Sequence, residues 1–544
     1  MEPERMKTMH AAVTILTAQG TCRTETCLPG ETLAAVLRRA GFPLDAPCGG
    51  NGTCGKCAVA AWGALSAPAP EERRLKPGMR LACRARAEGR CTVLLPDRAE
   101  GCRVLTDGAD ALTADGGAAE GIGAAIDIGT TTVVTVLYDR ASGVRLAVRG
   151  EPNRQRRFGA DVITRIQTCI TESDGLETLT ALIRGQLRAM LASAAAEAGC
   201  RADEICALTA AGNTVMCHLL AGLSPTGLAQ LPFLPQSLFG ESFAAGALAE
   251  SLGAADGADV WILPAVSGYF GGDAVAAAYA AGLNRTPDPT LMLDIGTNGE
   301  MALYASGRIL CCTAAAGPAF EGANITCGMS GTTGAVCSVS LDAAGALACG
   351  IIGGGEAKGI CGSGLIDLLA ALLEMGAVDE TGRLLPPEET PAAAKPYIRM
   401  HISNNPDGTA KAEPVCFLTE NVFLTGRDVR ALQLAKAAIA AGIATLLDEA
   451  GIAAEDVASL AIAGGFGNTI HPSSAGRIGL FPPCLTEKTV FIGNGALAGA
   501  SAALCSESAR TEIERLSKRM TNLELSADPR FMEHYIENMS FETL

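Results

Sequence analysis

Four cysteines near the N-terminus, Cys48, Cys54, Cys57 and Cys83, stand at a spacing that can cage a small inorganic cluster. They follow C-x5-C-x2-C, with the fourth cysteine 26 positions after the third. The intervening Gly49-Gly50-Asn51-Gly52-Thr53 and Gly55-Lys56 let three thiolates fold back on one centre, while Cys83 closes the cage from a later strand. Zinc is the other metal open to four thiolates. It ordinarily takes two short C-x-x-C knuckles, and this segment holds one, Cys54 to Cys57. The set therefore predicts a [2Fe–2S] cluster and one-electron chemistry.

A second chemistry lies in a repeated strand-turn pattern. Ala124-Ala125-Ile126-Asp127-Ile128-Gly129-Thr130-Thr131-Thr132 is echoed by Leu291-Met292-Leu293-Asp294-Ile295-Gly296-Thr297-Asn298-Gly299. An apolar strand ending in Asp-Ile-Gly-Thr and followed at once by another strand makes a tight hairpin. Its backbone amides can approach a phosphate, and its hydroxyls can donate to one. An aspartate at each strand end can hold Mg²⁺ directly or through water. Asp127 and Asp294 are thus the candidate metal carboxylates, and Gly129, Thr130, Thr131, Gly296, Thr297 and Asn298 the candidate phosphate groups. Downstream, Gly464-Gly465-Phe466-Gly467-Asn468 follows a buried-looking strand and leaves backbone on which an adenine ring can lie. Gly464, Gly465 and Asn468 are its candidate contacts. Gly359-Ile360-Cys361-Gly362-Ser363-Gly364 precedes a helical run, Leu365 to Met375, whose N-terminal amides could face the nucleotide. No P-loop lysine motif is present. Spacing names no general base, and Asp273, Asn298 and Glu300 are candidates only.

These residues need particular elements to position them. Val13 to Leu16 and Thr21 to Cys27 read as a hairpin, Thr32 to Ala40 as an amphipathic helix, and Thr92 to Leu95 as a closing strand, an order that suits an α+β β-grasp domain over residues 1–98. Residues 99–121 turn to Gly, Ala, Asp and Thr and read as a flexible linker. Beyond it, three β-rich segments followed by helix, strand, helix, strand, helix occur twice. That pattern predicts a duplicated α/β body of two ribonuclease-H-like lobes, 122–284 and 285–505, facing a cleft. Residues 506–544 read as a helix docked on that body.

Composition narrows the classes. The net charge is −16, which disfavours nonspecific nucleic-acid binding. It is unevenly divided: residues 1–98 hold 14 Lys and Arg against 9 Asp and Glu, while the remainder holds 28 against 49. Of 21 cysteines, 17 lie outside the cage motif, mostly within apolar runs, as at Cys311 and Cys312. That usage suits a reducing cytoplasm rather than a disulfide scaffold. No signal peptide is indicated, and no apolar run, including Ala435 to Leu447, reaches the roughly 20 residues of a membrane span.

Taken together, these features resemble the reductive activators of corrinoid proteins. These are ATP-dependent enzymes in which a [2Fe–2S] ferredoxin domain precedes a body of the class shared by acetate and sugar kinases, heat-shock chaperones and actin. The resemblance spans the whole chain. It also rests on Asn153-Arg154-Gln155, Gly159-Ala160-Asp161-Val162, Gly212-Asn213-Thr214-Val215-Met216, Gly317-Pro318-Ala319-Phe320-Glu321-Gly322, Gly359 to Asp367, and Asp428-Val429-Arg430 with Gln433 to Lys436. It implies that Cys48, Cys54, Cys57 and Cys83 hold the cluster, and that Asp127, Asp294 and their Gly/Thr neighbours hold Mg-ATP. It further implies one-electron return of a corrinoid protein from Co(II) to Co(I), an upstream low-potential donor and a homodimer. Cys91 is a rival fourth ligand, and Cys22 and Cys27 are read as structural. The first cysteine gap is one residue longer than in plant-type ferredoxins. Other readings are an activator of the 2-hydroxyacyl-CoA dehydratase type, a redox-sensing nucleotide-binding protein, and a sugar or acyl kinase.

Overall fold

The computed structural model of the chain describes residues 11–17, 22–28, 30–40, 42, 44, 52, 55, 57–95, 120–159, 161–240, 242–243, 245–404, 410–464 and 470–542. It divides into two compact units, one comprising Met1–Gly101, Gln155–Arg165 and Ser403–Lys411, the other the rest. Of the expected linker, only Glu120 and Gly121 fall among the described residues.

The first unit is a five-stranded sheet of β1 (Ala11–Leu16), β2 (Cys22–Cys27), β3 (Ala58–Leu65), β4 (Met79–Leu81) and β5 (Ala87–Leu94), in the order β2-β1-β5-β3-β4. The β1 and β5 strands run parallel and the other pairs antiparallel. The helix Leu33–Arg39 starts at Thr32, whose hydroxyl accepts from the Ala35 amide at 3.3 Å. It buries Leu33, Val36 and Leu37 in one core with Val13, Ile15, Val59 and Val93. Hairpin, helix, then closing strand make this the expected β-grasp arrangement.

In the second unit the expected duplication is explicit. The first lobe's sheet holds β6 (Ile122–Ile128), β7 (Thr132–Asp139), β8 (Val144–Pro152), β9 (Ile205–Gly212), β10 (Ser242–Phe243) and β11 (Asp259–Ile262), in the order β10-β11-β9-β6-β7-β8. In the second lobe, β12 (Thr290–Ile295), β13 (Gly299–Ala305) and β14 (Arg308–Ala314) repeat the three-strand meander. Two small sheets follow: β15 (Ala335–Leu341), β16 (Leu347–Ile351) and β17 (Gly359–Ile360), then β18 (Ile398–Asn404), β19 (Ala410–Phe417) and β20 (Phe423–Thr425). The main sheet then resumes with β21 (Ser459–Ala463) and β22 (Thr489–Gly493) and ends with β23 (Met520–Asn522), giving β22-β21-β12-β13-β14-β23. In both sheets the first strand pairs antiparallel with the second and parallel with the fourth. The two lobes therefore share one topology, with the added sheets inserted in the second.

The tail does more than dock a helix. After the helix Glu507–Arg519 it adds β23 in parallel to β14, then the helix Pro529–Glu537. Lys436 donates to the Ser540 carbonyl at 2.5 Å and lies 4.9 Å from the Phe541 ring, while the Gln433 amide reaches the Met539 carbonyl. Gln433 and Lys436 therefore hold the tail. Their helix, Gly426–Ala450, is long and apolar enough to cross a membrane, contrary to the expectation that no such run exists. Its most apolar window is 78% buried within the protein, as befits the central helix of a core.

The lobes meet through the helices Gly272–Ala280 and Gly495–Cys505. A Cβ built on Gly499 would lie 2.5 Å from Ala276 Cβ and 2.7 Å from its Cα, and one on Gly495 would lie 2.8 Å from Ala277 Cβ. The helices thus cross almost backbone to backbone, and only hydrogen fits at the crossing. Helix propensity alone makes Gly→Ala favourable by about 1 kcal/mol, whereas overpacking costs about 1–3 kcal/mol. Gly499→Ala is therefore expected to lower the melting temperature. A rise in thermal unfolding experiments would show that the crossing has slack.

Candidate functional site

In the first unit, Cys57 lies just before β3 and Cys83 two residues after β4, and both thiols are buried. Their sulfurs are 3.3 Å apart. That is well beyond the about 2.05 Å of a disulfide and close enough for both to bind one tetrahedral metal. An ion pair steadies the approach to Cys83: Arg80 Nε meets Glu72 Oε1 at 2.9 Å, and the Leu81 amide donates to the same oxygen at 2.7 Å. Burial alone would raise the Glu72 carboxyl, but the bonds from Arg80 and from the Ala69 and Leu81 amides hold it below its usual range. Cys91 faces the core beside Cys27, and burial first, then Cys27, pushes its thiol up to about 11. Cys83, rather than Cys91, is thus the neighbour of Cys57. Cys48 and Cys54 lie outside the described residues.

In the second unit the two Asp-Ile-Gly-Thr motifs form the predicted hairpins. Ile128 pairs with Val133 across the first turn and Ile295 with Gly299 across the second. Asparagines hold the first turn from outside: Asn153 Nδ2 donates to the Gly129 carbonyl at 2.9 Å, and Asn213 Nδ2 to Thr130 Oγ1 at 3.0 Å. Between the hairpins stands Glu321. Thr131 Oγ1 donates to its Oε2 at 3.1 Å, and Thr297 Oγ1 to its Oε1 at 2.7 Å. One carboxylate therefore spans the candidate phosphate groups of both lobes.

Behind the hairpins, Asp127, Asp273, Asp294 and Glu300 crowd together. Asn494 caps the helix Gly495–Cys505, accepting from the Leu497 amide at 2.8 Å, and its Nδ2 donates to Asp127 Oδ2 at 2.8 Å. Each of the four carboxylates keeps some area open to the cleft but is ringed by protein. Desolvation pushes Asp127 up to about 7, opposed by Asn494 and reinforced by Asp273. It also lifts Asp294 to about 7, with Asp273 and Asp127 adding to the shift. Asp273 is raised by burial, and Glu300 well above its usual range by burial and by Asp273 and Asp294. These charged neighbours are each other, an arrangement that calls for a bound cation. Among the described residues no three His, Cys, Asp or Glu side chains converge to chelate an ion directly. Mg²⁺ takes few carboxylates and keeps several of its waters, and Asp127 and Asp294, one from each lobe, are donors of that kind, so the donor set fits the metal.

Gly464, the residue after β21, lies against this cluster. Its φ is +95°, and a Cβ there would lie 2.5 Å from Asp294 Oδ1, so a side chain would displace the carboxylate. Gly465 and Asn468 lie outside the described residues. The helix after Gly359-Ile360-Cys361 begins at Gly362, three residues ahead of the expected start. A Cβ on Gly364 would lie 2.3 Å from the Val336 carbonyl, so that glycine serves packing of helix on strand. Asp428 likewise serves structure, accepting from the Thr326 amide at 2.8 Å and from Thr425 Oγ1 at 2.8 Å. The bridging role of Glu321 and the bond from Asn494 to Asp127 carry no signal in the spacing, although the run containing Glu321 is a recognisable motif.

Comparison with known proteins bears on all three segments. Residues 16–88 match the model of a 2Fe-2S iron-sulfur cluster binding domain, residues 122–286 that of the RACo middle region, and residues 288–544 that of the C-terminal domain of RACo, the ASKHA domain. The corrinoid activation enzyme RamQ of Eubacterium limosum is 33% identical over 431 residues, covering 77% of this chain and 70% of that protein. The [Co(II) methylated amine-specific corrinoid protein] reductase of Methanosarcina barkeri is 28% identical over 308 residues, 52% of each. The solved structure of a reductive activator for corrinoid, iron-sulfur protein matches with a TM-score of 0.66 at 28% identity, covering 97% of this chain and 98% of its own. With a ferredoxin-like unit ahead of a duplicated body that pairs its aspartates across one cleft, the chain belongs to the family of reductive activators of corrinoid proteins.

Proposed function

We propose that this protein is an ATP-dependent reductase that returns a corrinoid protein from Co(II) to Co(I), keeping it competent for methyl transfer. The observation that carries the reading is the convergence of both hairpins and their carboxylates on one cleft, on a chain that also sets Cys57 beside Cys83. The cluster, when bound, supplies a one-electron store near roughly −400 mV. Its ligands are Cys57 and Cys83 with Cys48 and Cys54. Asp127 and Asp294 hold Mg²⁺ through water. The hydroxyls of Thr130, Thr131 and Thr297 and the amides around Gly129, Gly296 and Asn298 receive the phosphates, and Gly464, Gly465 and Asn468 border the adenine.

Reducing the cobalt is harder than reducing such a cluster, and that gap is where ATP enters. For one electron, a deficit of about 180 mV is three decades in the equilibrium, about 4 kcal/mol. A nucleotide-dependent change in how the lobes hold the corrinoid protein is sufficient to supply that difference. The domains follow: 1–98 carries the electron, 99–121 links, 122–284 and 285–505 clamp the nucleotide, and 506–544 fastens the second lobe. An upstream low-potential donor, a homodimeric assembly and a reducing cytoplasmic setting complete the proposal. Thiols buried without charge, such as Cys217 and Cys311, support the last.

The direct test is anaerobic. Reconstituted protein, a chemical reductant and a corrinoid protein poised as Co(II) are followed by the absorbance of Co(I), with and without Mg-ATP. Rapid Co(I) formation that needs Mg-ATP is expected, and equal rates without nucleotide would refute the coupling. Cys83→Ser is expected to lose the reduced-cluster EPR signal, with Cys91→Ser retaining it.

The crowded carboxylates set a pH dependence. Asp294 titrates near 7 in the folded protein and near 4 in an unfolded chain. The folded state therefore binds the extra proton between those values, and the metal-free protein loses stability as pH rises through that window. Asp294→Asn removes the liability. It is expected to stabilise the metal-free protein at pH 8 by about 1–3 kcal/mol, with the gain shrinking towards pH 5. The same variant should gain nothing from Mg-ATP in the melting curve, whereas the wild type gains. A variant less stable than wild type at pH 8 would contradict the assignment.

A further inference from the structure

We propose that Glu321 is a catalytic residue for ATP hydrolysis, a carboxylate that clasps both hairpin hydroxyls and takes the proton of the attacking water once the γ-phosphate claims those hydroxyls. The inference rests on the nucleotide site proposed above and names a general base, which spacing does not supply.

Three observations point to it. First, Glu321 receives hydrogen bonds from Thr131 Oγ1 at 3.1 Å and Thr297 Oγ1 at 2.7 Å, one from each lobe. Those hydroxyls are donors suited to a phosphate, so the carboxylate stands where phosphate oxygens are expected. A polyphosphate arriving there must take over both donors, because two anions cannot share them in a site this crowded with carboxylates. The displaced carboxylate stays beside the hydroxyls that now hold the phosphate, where it can accept a proton from a water.

Second, the backbone holding Glu321 leaves its carboxylate little room to retreat. The short 3-10 turn Pro318–Glu321 lies between Gly317 at φ +75° and Gly322 at φ +73°, with Ala319 and Phe320 buried beneath it. A Cβ on Gly322 would lie 2.8 Å from the backbone N and O of Met329, so the end of the turn is pinned. Release of the hydroxyls can rotate the side chain but not carry the residue away.

Third, the other carboxylates are engaged differently. Asp127 accepts from Asn494, Asp273 accepts from the Ala274 amide at 2.9 Å in the first turn of its helix, and Asp294 lies against Gly464. They crowd behind the hairpins, where a cation is needed, whereas Glu321 bridges the hairpin hydroxyls themselves.

The step balances without a redox partner. The water oxygen bonds to the γ-phosphorus, and the bond from that phosphorus to the β–γ bridging oxygen breaks, leaving its electron pair on ADP. The water proton passes to a Glu321 carboxylate oxygen and thence to solvent.

The test separates binding from turnover. Glu321→Gln and Glu321→Asp are compared with wild type by titration calorimetry with Mg-ATP and by single-turnover phosphate release. Glu321→Gln, lacking the competing charge, should bind Mg-ATP at least as tightly as wild type while hydrolysis falls by about 100-fold or more, in the range for a lost general base. Glu321→Asp should restore part of that rate. Hydrolysis within about threefold of wild type in Glu321→Gln would overturn the inference, as would affinity and turnover falling together. Wild-type protein that binds no Mg-ATP would instead overturn the nucleotide site, and this inference with it.

Discussion

The fold of the second unit is organised around a repulsion. Asp127 and Asp294 end homologous strands of the two lobes, and the approach of the lobes brings them to a common cleft with Asp273 and Glu300. Burial pushes all four towards the protonated form, and neighbouring carboxylate charge adds to it at Asp127, Asp294 and Glu300. A hydrophobic core would exclude such a grouping, so packing elsewhere must hold it together. That packing is the backbone-close crossing at Gly499 and Ala276, together with the apolar layers beneath each sheet. A cation relieves the repulsion, and a polyphosphate needs the cation, so each ligand prepares the site for the other.

Strain of this kind is compatible with stability only because the rest of the body is generously packed. The helix Gly426–Ala450 is buried along most of its length, and the chain's tail is fastened to it by Gln433 and Lys436. Desolvation lowers the Lys436 ammonium to about 8, so even this fastening keeps a cation in a poorly hydrated place. The Phe541 ring and the Ser540 carbonyl partly replace the lost water. Motif residues that look chemical in the linear sequence here do mechanical work, holding the second lobe rigid while the cleft stays polar.

What the linear sequence discloses is governed by distance along the chain. Both hairpins are readable because each is written locally as strand, turn and strand, and the β-grasp order and the two lobes because such local elements follow one another in a recognisable, and for the lobes repeated, order. The partners of the reactive groups are not. Glu321 meets Thr131 across 190 positions and Asn494 meets Asp127 across 367, and nothing local in either segment encodes its counterpart. Short elements escape for a different reason. The three residues of β23 have no periodicity to detect, and their strand character comes entirely from pairing with β14. Cys83 over Cys91 is an intermediate case. The Arg80-Leu81-Ala82-Cys83 context favours Cys83, and the turn after β4 sets that thiol against Cys57, while Cys91 on β5 lies near Cys27.

The two crossing helices also connect the site mechanically to the rest of the body. The helix Gly272–Ala280 begins beside Asp273, and the helix Gly495–Cys505 begins at Asn494, which grips Asp127. Both therefore start at the cleft and run into the tight contact at Ala276, Ala277, Gly495 and Gly499. A shift of a few tenths of an ångström in the carboxylates cannot be absorbed by flexible side chains there, because none intervene. It must pass to the helices as rigid bodies and so to the sheets they cover. Glu321, bonded to one hydroxyl from each lobe, ties the turns of the same two hairpins together, so the carboxylates and the hydroxyls beside them are linked to both lobes at once.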